Sequence, residues 1–127
     1  MKFHFNHDEG FETEFEFGKL TVSGNEEKGY RPFQLMVSSI AVCSGSVLRK
    51  VLEKQRMSVE DLQVEADVTR DPERANRLTH IKLHYVIKGE GLTDKKVAKA
   101  VELASKNCPM AQTVIDSVEL TETFEIK

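Results

Sequence analysis

Residues 32–56 read PFQLMVSSIAVCSGSVLRKVLEKQR, and this stretch decides the fold. Proline is favoured at the first position of a helix, because the N–H of that residue has no partner within the helix. Through Val42 the apolar side chains point almost all round the predicted helix, which indicates burial on several sides. After Val47 the pattern becomes amphipathic, with charged residues facing outward. The stretch therefore predicts a long central helix from Pro32 to about Arg56.

Strand patterns flank this helix on both sides. Before it, Phe11, Thr13, Phe15 and Phe17 alternate with glutamates, so these four side chains are expected to share one buried face. Similar alternation and two N-terminal helix signals predict strands at 3–5, 20–22, 62–68, 79–87 and 118–126, and helices after Thr93 and at Pro109. The segregated order predicts an α+β fold, with antiparallel strands around the helix.

Length and charge restrict the classes of protein. The chain has 127 residues, a usual size for one domain, and no Pro/Gly/Ser-rich linker, so a single domain over residues 1–127 is predicted. The net charge is -3, and the 18 Lys and Arg residues are scattered among 21 acids, which argues against nucleic acid as a partner. No run of about 18 apolar residues and no signal-peptide core is present. A cytoplasmic protein without membrane contact is expected.

Cys43 lies in the middle of the predicted helix among small residues, including Ser39, Ser44 and Gly45. Small side chains leave room for a ligand beside the sulfur, or allow another element to approach closely. The alternative is structural, because free cysteine also behaves as a small buried apolar residue.

Cys108 directly precedes Pro109, so its sulfur is expected near the N-terminus of a helix. Unpaired N–H groups there favour a thiolate and lower the pKa of a thiol. The alternative is a capping residue without reactivity. In a reducing compartment, two cysteines that lie far apart in sequence are reduced thiols or a redox pair more often than a fixed bridge.

No signature of a metal or phosphate site is found. His80 and His84 share a strand face, but at ~3.3 Å per residue they lie about 13 Å apart, too far to bind one metal. Neither a CxxC pair nor an HExxH, GxSxG or glycine-rich phosphate motif occurs.

Together, Arg31-Pro32-Phe33-Gln34-Leu35, the small and apolar run up to Cys43, and Cys108-Pro109-Met110 resemble the OsmC/organic hydroperoxide resistance superfamily. The order of strands and helices also fits, so the resemblance covers nearly the whole chain. It implies an intertwined homodimer with the active site at the subunit interface. It also implies a thiol-dependent peroxidase, an antioxidant stress-response enzyme that reduces organic hydroperoxides without a metal or organic cofactor.

The resemblance assigns roles to the two thiols. Cys43 would attack the peroxide and become a sulfenic acid, and Cys108 would resolve it as a disulfide that a cellular dithiol reduces. Local helix geometry instead favours activation of Cys108. Arg31, Phe33, Gln34, Met36, Ile40 and Met110 are the predicted walls of the binding pocket for an apolar hydroperoxide, Met36 because it precedes Cys43 by seven residues and shares its helix face.

The sequence also departs from the family pattern. Characterised peroxidases of the superfamily carry an Arg on the N-terminal strands and a Glu soon after the helix-starting Pro. Here no Arg precedes Arg31, and Phe33 and Gln34 follow Pro32. Two rival hypotheses therefore stay open, a protein that binds a small apolar molecule without turnover and a structural dimer with inert thiols.

Overall fold

The computed structural model describes all residues from 1 to 127. Its elements follow the order β1 (His4–Phe5), β2 (Gly10–Glu14), β3 (Lys19–Ser23), α1 (Pro32–Lys54), β4 (Ser58–Asp71), β5 (Arg77–Glu90), α2 (Asp94–Asn107), α3 (Pro109–Val114) and β6 (Glu119–Ile126). The predicted α+β class is confirmed.

Contacts within the chain cluster in two compact units, and the single domain expected over residues 1–127 stays a prediction. Unit 1 is Met1–Ser38 and unit 2 is Ser39–Lys127. The boundary falls inside α1 and not in a linker, so one continuous helix belongs to both units.

Unit 1 contains an antiparallel sheet in the order β1-β2-β3. The expectation that Phe11, Thr13, Phe15 and Phe17 share a buried face is wrong for this protomer, since Thr13 is buried and the three phenylalanines are exposed. A tight turn explains why the strand ends early: Phe15 and Gly18 exchange backbone hydrogen bonds of 3.0 and 3.1 Å, which leave Phe17 in solvent.

Helix α1 begins at Pro32, as predicted, and runs for 23 residues. Its buried side chains recur every three or four residues and form one stripe: Val37, Ile40, Ser44, Leu48 and Leu52. Other apolar side chains of the helix face outward, and Val42 is 66% exposed. The protomer therefore buries one face of the helix and not the several faces that the sequence predicted.

The same helix is long and apolar enough to cross a bilayer if length and composition alone are counted. Its serines interrupt the unbroken apolar run that is typical of a membrane-spanning helix. Length and composition are weak evidence for a membrane span, because core helices of soluble proteins meet the same measure.

Unit 2 contains a second sheet in the order β4-β5-β6. Strands β4 and β5 form a long antiparallel hairpin, whereas β6 pairs parallel to β5, which corrects the expectation of antiparallel strands throughout. Parallel neighbours need a crossover connection, and helices α2 and α3 supply it between β5 and β6. This crossover places Cys108, which joins the two helices, over the sheet.

The core of unit 2 lies between β5 and the helices. Four side chains of β5 have no exposed surface: Ile81, Leu83, Tyr85 and Ile87. Helix α2 buries four apolar residues on one face: Val97, Ala100, Val101 and Ala104. Tyr85 stands out in this apolar layer because its hydroxyl needs a polar partner when it is buried.

We predict that Gly45→Ala destabilises the protein, although alanine favours a helix over glycine by ~1 kcal/mol. A Cβ at Gly45 would lie 2.9 Å from Cγ2 of Val64 on β4, closer than van der Waals contact allows. The expected net loss is about 1 kcal/mol in the free energy of unfolding, measured by urea denaturation.

The matched variants are Val64→Ala alone and the Gly45→Ala/Val64→Ala pair. Because the second substitution removes the clashing methyl groups, the double variant should lose less stability than the sum of the two single changes. If the losses in the free energy of unfolding from the two single substitutions simply add, the close approach of Val64 does not restrict the side chain at position 45.

Candidate active site

Cys43 lies in the middle of α1 and is partly exposed. Helical geometry turns the next residue, Ser44, into the core, where it has no exposed surface. The helix thus presents a thiol near the surface and a hydroxyl beside it in the interior.

Cys108 joins α2 to α3 in an extended conformation, with φ −85° and ψ 111°. It ends α2 and caps α3, and its sulfur accepts a hydrogen bond from the backbone N–H of Ala111 at 3.4 Å. The predicted placement of the sulfur at a helix N-terminus is therefore confirmed. The side chain has no exposed surface in the protomer, although its thiol is free.

The two thiols meet in unit 2. The hydroxyl of Ser44 donates to the sulfur of Cys108 at 3.3 Å, and the thiol of Cys43 also donates a hydrogen bond to that sulfur. The backbone N–H of Met110 lies within reach of both sulfurs. The sequence singled out both cysteines, and the fold brings them into hydrogen-bond contact across 65 positions.

The two thiols differ in acidity. Burial raises the pKa of Cys43, and its hydrogen bond to Cys108 raises this pKa further, because that bond needs the proton. Burial also tends to raise the pKa of Cys108, but hydrogen bonds from Cys43, Ser44 and two backbone N–H groups outweigh burial and leave this pKa below its ordinary value. A thiolate therefore forms at Cys108 first, with Cys43 as its hydrogen-bond donor.

A buried polar chain continues behind Cys108. The hydroxyl of Tyr85 donates to Oε1 of Glu122 on β6 at 2.7 Å, and Ser44 lies within hydrogen-bonding reach of Tyr85. Burial, followed by the hydrogen bond to Glu122, raises the pKa of Tyr85 far above its usual value, so this phenol keeps its proton.

The site also contains three residues that were not predicted from the sequence: Ser44, Tyr85 and Glu122. A signal was present at Glu122, which interrupts the apolar alternation of Leu120, Phe124 and Ile126 on the helix-facing side of β6. An acid in that register is costly to bury unless it has a partner. The hydroxyl of Tyr85 supplies one.

The six predicted pocket residues fall into both units. In unit 1, Arg31 pairs with Glu26 at 3.7 Å, donates to Gln34 at 3.4 Å and lies 5.0 Å from the ring centre of Phe33. Met36 is exposed there. In unit 2, Ile40 belongs to the core, and Met110 is 39% exposed next to Cys108. Their role as ligand contacts stays a prediction.

Other features of the chain lie apart from the thiols. A cavity of about 700 Å³ opens between α1 and α2 near Val51 and Leu103, and neither cysteine lines it. His80 and His84 bond to Thr121 and Thr123 on the neighbouring strand. No group of three or more potential ligand side chains converges to hold a metal ion.

Comparison with known proteins agrees with this geometry. A family model described as OsmC-like protein matches residues 24–123, a span that includes both cysteines and the whole of α1. The chain belongs to the OsmC-like family. Some of the similar proteins are named organic hydroperoxide resistance proteins, and OhrA of Bacillus subtilis is one of them.

Three similar proteins each match most of the chain. Protein YhfA of Escherichia coli K12 is 31% identical over 110 residues, which cover 85% of this chain and 82% of YhfA. The organic hydroperoxide resistance protein OhrA of Bacillus subtilis is 27% identical over 95 residues, covering 75% of this chain and 67% of OhrA. The crystal structure of a hypothetical protein from Aquifex aeolicus VF5 superimposes with a TM-score of 0.88 at 26% identity, over 99% of this chain and 93% of that one.

We predict that Ser44→Ala raises the pKa of Cys108 towards its ordinary value, because the thiolate loses a hydrogen-bond donor. Since the folded-state pKa of Cys108 is lowered, its contribution to stability is present above the unfolded-state pKa and is lost as the pH falls through the folded-state value. Ser44→Ala should reduce that pH-dependent part of the free energy of unfolding, measured by urea denaturation at several pH values. The control is Ser46→Ala, an exposed serine of the same helix, which should leave the pH dependence unchanged.

Proposed function

We propose that this OsmC-like protein reduces organic hydroperoxides with the Cys43–Cys108 thiol pair. The observation that carries the proposal is the proximity of the two thiols, whose sulfurs lie within hydrogen-bonding reach of each other. Sulfurs in hydrogen-bond contact can form a disulfide after a small movement, which a peroxidase needs for resolution. Inert structural thiols have no need of this pairing.

Accessibility favours Cys43 as the thiol that attacks. Cys43 is partly exposed, whereas Cys108 has no exposed surface, so a peroxide from solvent reaches Cys43 first. The low pKa of Cys108 is consistent with attack by Cys43, because a Cys108 thiolate can act as the base. As a thiolate hydrogen-bonded to Cys43, it accepts the Cys43 proton and generates the attacking thiolate where the substrate arrives.

The chemical steps balance as follows. The Cys43 thiolate attacks the terminal peroxide oxygen, the S–O bond forms and the O–O bond breaks, and the alkoxide takes up a proton and leaves as an alcohol. Cys108, deprotonated again, then attacks the Cys43 sulfur, the S–S bond forms, and hydroxide leaves and is protonated to water. A cellular dithiol reduces the disulfide and is itself oxidised.

Arg31 is our candidate for the activating cation of the family. Its guanidinium already has a carboxylate partner in Glu26, as expected of an oriented arginine, and it also stacks on Phe33. The apolar side chains of Phe33, Met36, Ile40 and Met110, with Gln34 beside Arg31, would favour a bulky organic hydroperoxide over hydrogen peroxide.

We further propose that the protein is an intertwined homodimer. Val42, next to the attacking thiol, is 66% exposed, and Phe3, Phe5 and Phe11 are about half exposed. Apolar surface of this extent is typical of an obligate interface. Sedimentation at micromolar concentration should give twice the protomer mass of 14.4 kDa, and a folded monomer under those conditions would refute the assembly.

The peroxidase proposal is tested by mixing reduced protein with an alkyl hydroperoxide and following free thiols and intact mass. The parent protein should lose two thiols and gain a disulfide. Cys43→Ser should abolish peroxide consumption, since the attacking thiol is gone. Cys108→Ser should retain a single oxidation per site, detected as a sulfenic acid, but should not turn over with a dithiol.

Arg31→Ala should give a partial effect. Loss of the cation should slow the first oxidation without changing the mass of the oxidised protein. If the parent protein keeps both thiols at stoichiometric peroxide, and Cys43→Ser behaves as the parent does, the peroxidase proposal is wrong. Binding of an apolar molecule without turnover would then replace it.

A further inference from the structure

The buried polar chain behind the thiols consists of four groups in a row: Glu122, Tyr85, Ser44 and Cys108. Neither Tyr85 nor Ser44 has exposed surface, so both hydroxyls are shielded from bulk water. The Glu122 end lies near solvent, where it lines a cavity of about 480 Å³, whereas Cys108 at the other end has no exposed surface of its own.

The number of protons in this row of four groups limits how many hydrogen bonds can form at once. Three gaps separate the four groups, and each gap needs one proton for a hydrogen bond. Tyr85 and Ser44 carry one hydroxyl proton each, so they fill two of the gaps. The third proton has to come from an end of the row, either from a protonated Glu122 or from the thiol of Cys108.

Two arrangements therefore satisfy every gap. In one, Glu122 is protonated and all donors point towards a Cys108 thiolate. In the other, Cys108 is a thiol and all donors point towards a Glu122 carboxylate. If both ends are charged, Tyr85 donates to Glu122 and Ser44 donates to Cys108, and the gap between the two hydroxyl oxygens has no proton.

We propose that Glu122, Tyr85 and Ser44 form a proton relay that couples the charge of Cys108 to that of Glu122 on the other side of the core. A proton that leaves Cys108 passes to Ser44, the Ser44 proton passes to Tyr85, and the Tyr85 proton passes to Glu122. The three residues are positioning residues for Cys108. Through the relay, Cys108 exchanges its proton with solvent without opening its own pocket.

The surroundings of both ends are compatible with this relay. At the Glu122 end, the charged groups that line the same cavity are Glu102 and Lys106 of α2, which pair with each other at 3.3 Å, and α3 contributes the neutral Gln112. At the Cys108 end, the facing titratable groups are Cys43 of α1 and Tyr85 of β5. Because Glu102 is paired with Lys106, Glu122 is the acid that is available to receive the hydroxyl proton of Tyr85.

The relay deepens the proposed function, but its test needs no peroxide. In a Cys43→Ser background Cys108 is the sole thiol, and its thiolate is followed by ultraviolet absorbance from about pH 5 to pH 9, below the range in which tyrosines ionise. Glu122→Gln keeps a hydrogen-bonding group but removes the competing charge, so the thiolate fraction at about pH 7 should rise several-fold.

The decisive comparison repeats Glu122→Gln in a Tyr85→Phe background, which cuts the row at its second member. There the substitution should leave the thiolate fraction unchanged, because the coupling passes through the Tyr85 hydroxyl. Glu125→Gln, an exposed acid of the same strand, should have no effect in either background. Circular dichroism establishes folding, and if Tyr85→Phe does not fold, Ser44→Ala cuts the same row at its third member.

An equal effect of Glu122→Gln in the intact and the cut row would show direct charge repulsion and overturn the relay, as would no effect in the intact row. Because these titrations do not involve peroxide, a failed relay and a failed peroxidase give different results. With peroxidase activity present, Glu122→Gln should also accelerate disulfide formation several-fold in parallel with the thiolate fraction, again only when Tyr85 is intact.

Discussion

The hydrogen bond from Ser44 to the buried sulfur of Cys108 is the contact on which the candidate site depends. It joins the middle of α1 to the junction of α2 and α3, so it fixes the position of one thiol relative to the helix that carries the other. A buried polar atom without a partner is costly, and no buried side-chain nitrogen or oxygen in this chain lacks one. The hydroxyls of Ser44 and Tyr85 need hydrogen-bond partners in an apolar core, and this need fixes the positions of the groups around the thiols.

Much of the fold could be predicted from the sequence because its patterns are local. Proline at position 32 and the apolar spacing after it predicted α1, and Pro109 predicted the position of the Cys108 sulfur at the start of α3. The phenylalanine strand was predicted too long because alternation says nothing about the turn at Phe15–Gly18. The parallel pairing of β6 was missed because strand direction follows from the crossover and not from the strand itself.

The candidate site could be predicted only in part, because sequence patterns are local and many contacts in the site are not. Both cysteines were found by residue type and context, but their partners come from elements that are distant in sequence. Tyr85 was counted as one apolar residue in a strand, and Glu122 was passed over within an otherwise regular alternation. Hydrogen-bond partners across a core depend on register and packing, which single-sequence patterns do not specify.

The parallel pairing of β6 also bears on the order in which unit 2 can assemble. Contacts between residues close in sequence generally form before distant ones, and the β4–β5 hairpin closes across a short turn at Asp71–Arg77. Strand β6 has to wait until α2 and α3 have crossed over the sheet. We therefore expect the environment of Cys108 to be completed late in folding, when Glu122 docks beside Tyr85. Until then we expect both thiols to be reactive and exposed, so a newly made chain would be open to oxidation before the hydrogen bonds around Cys108 have formed.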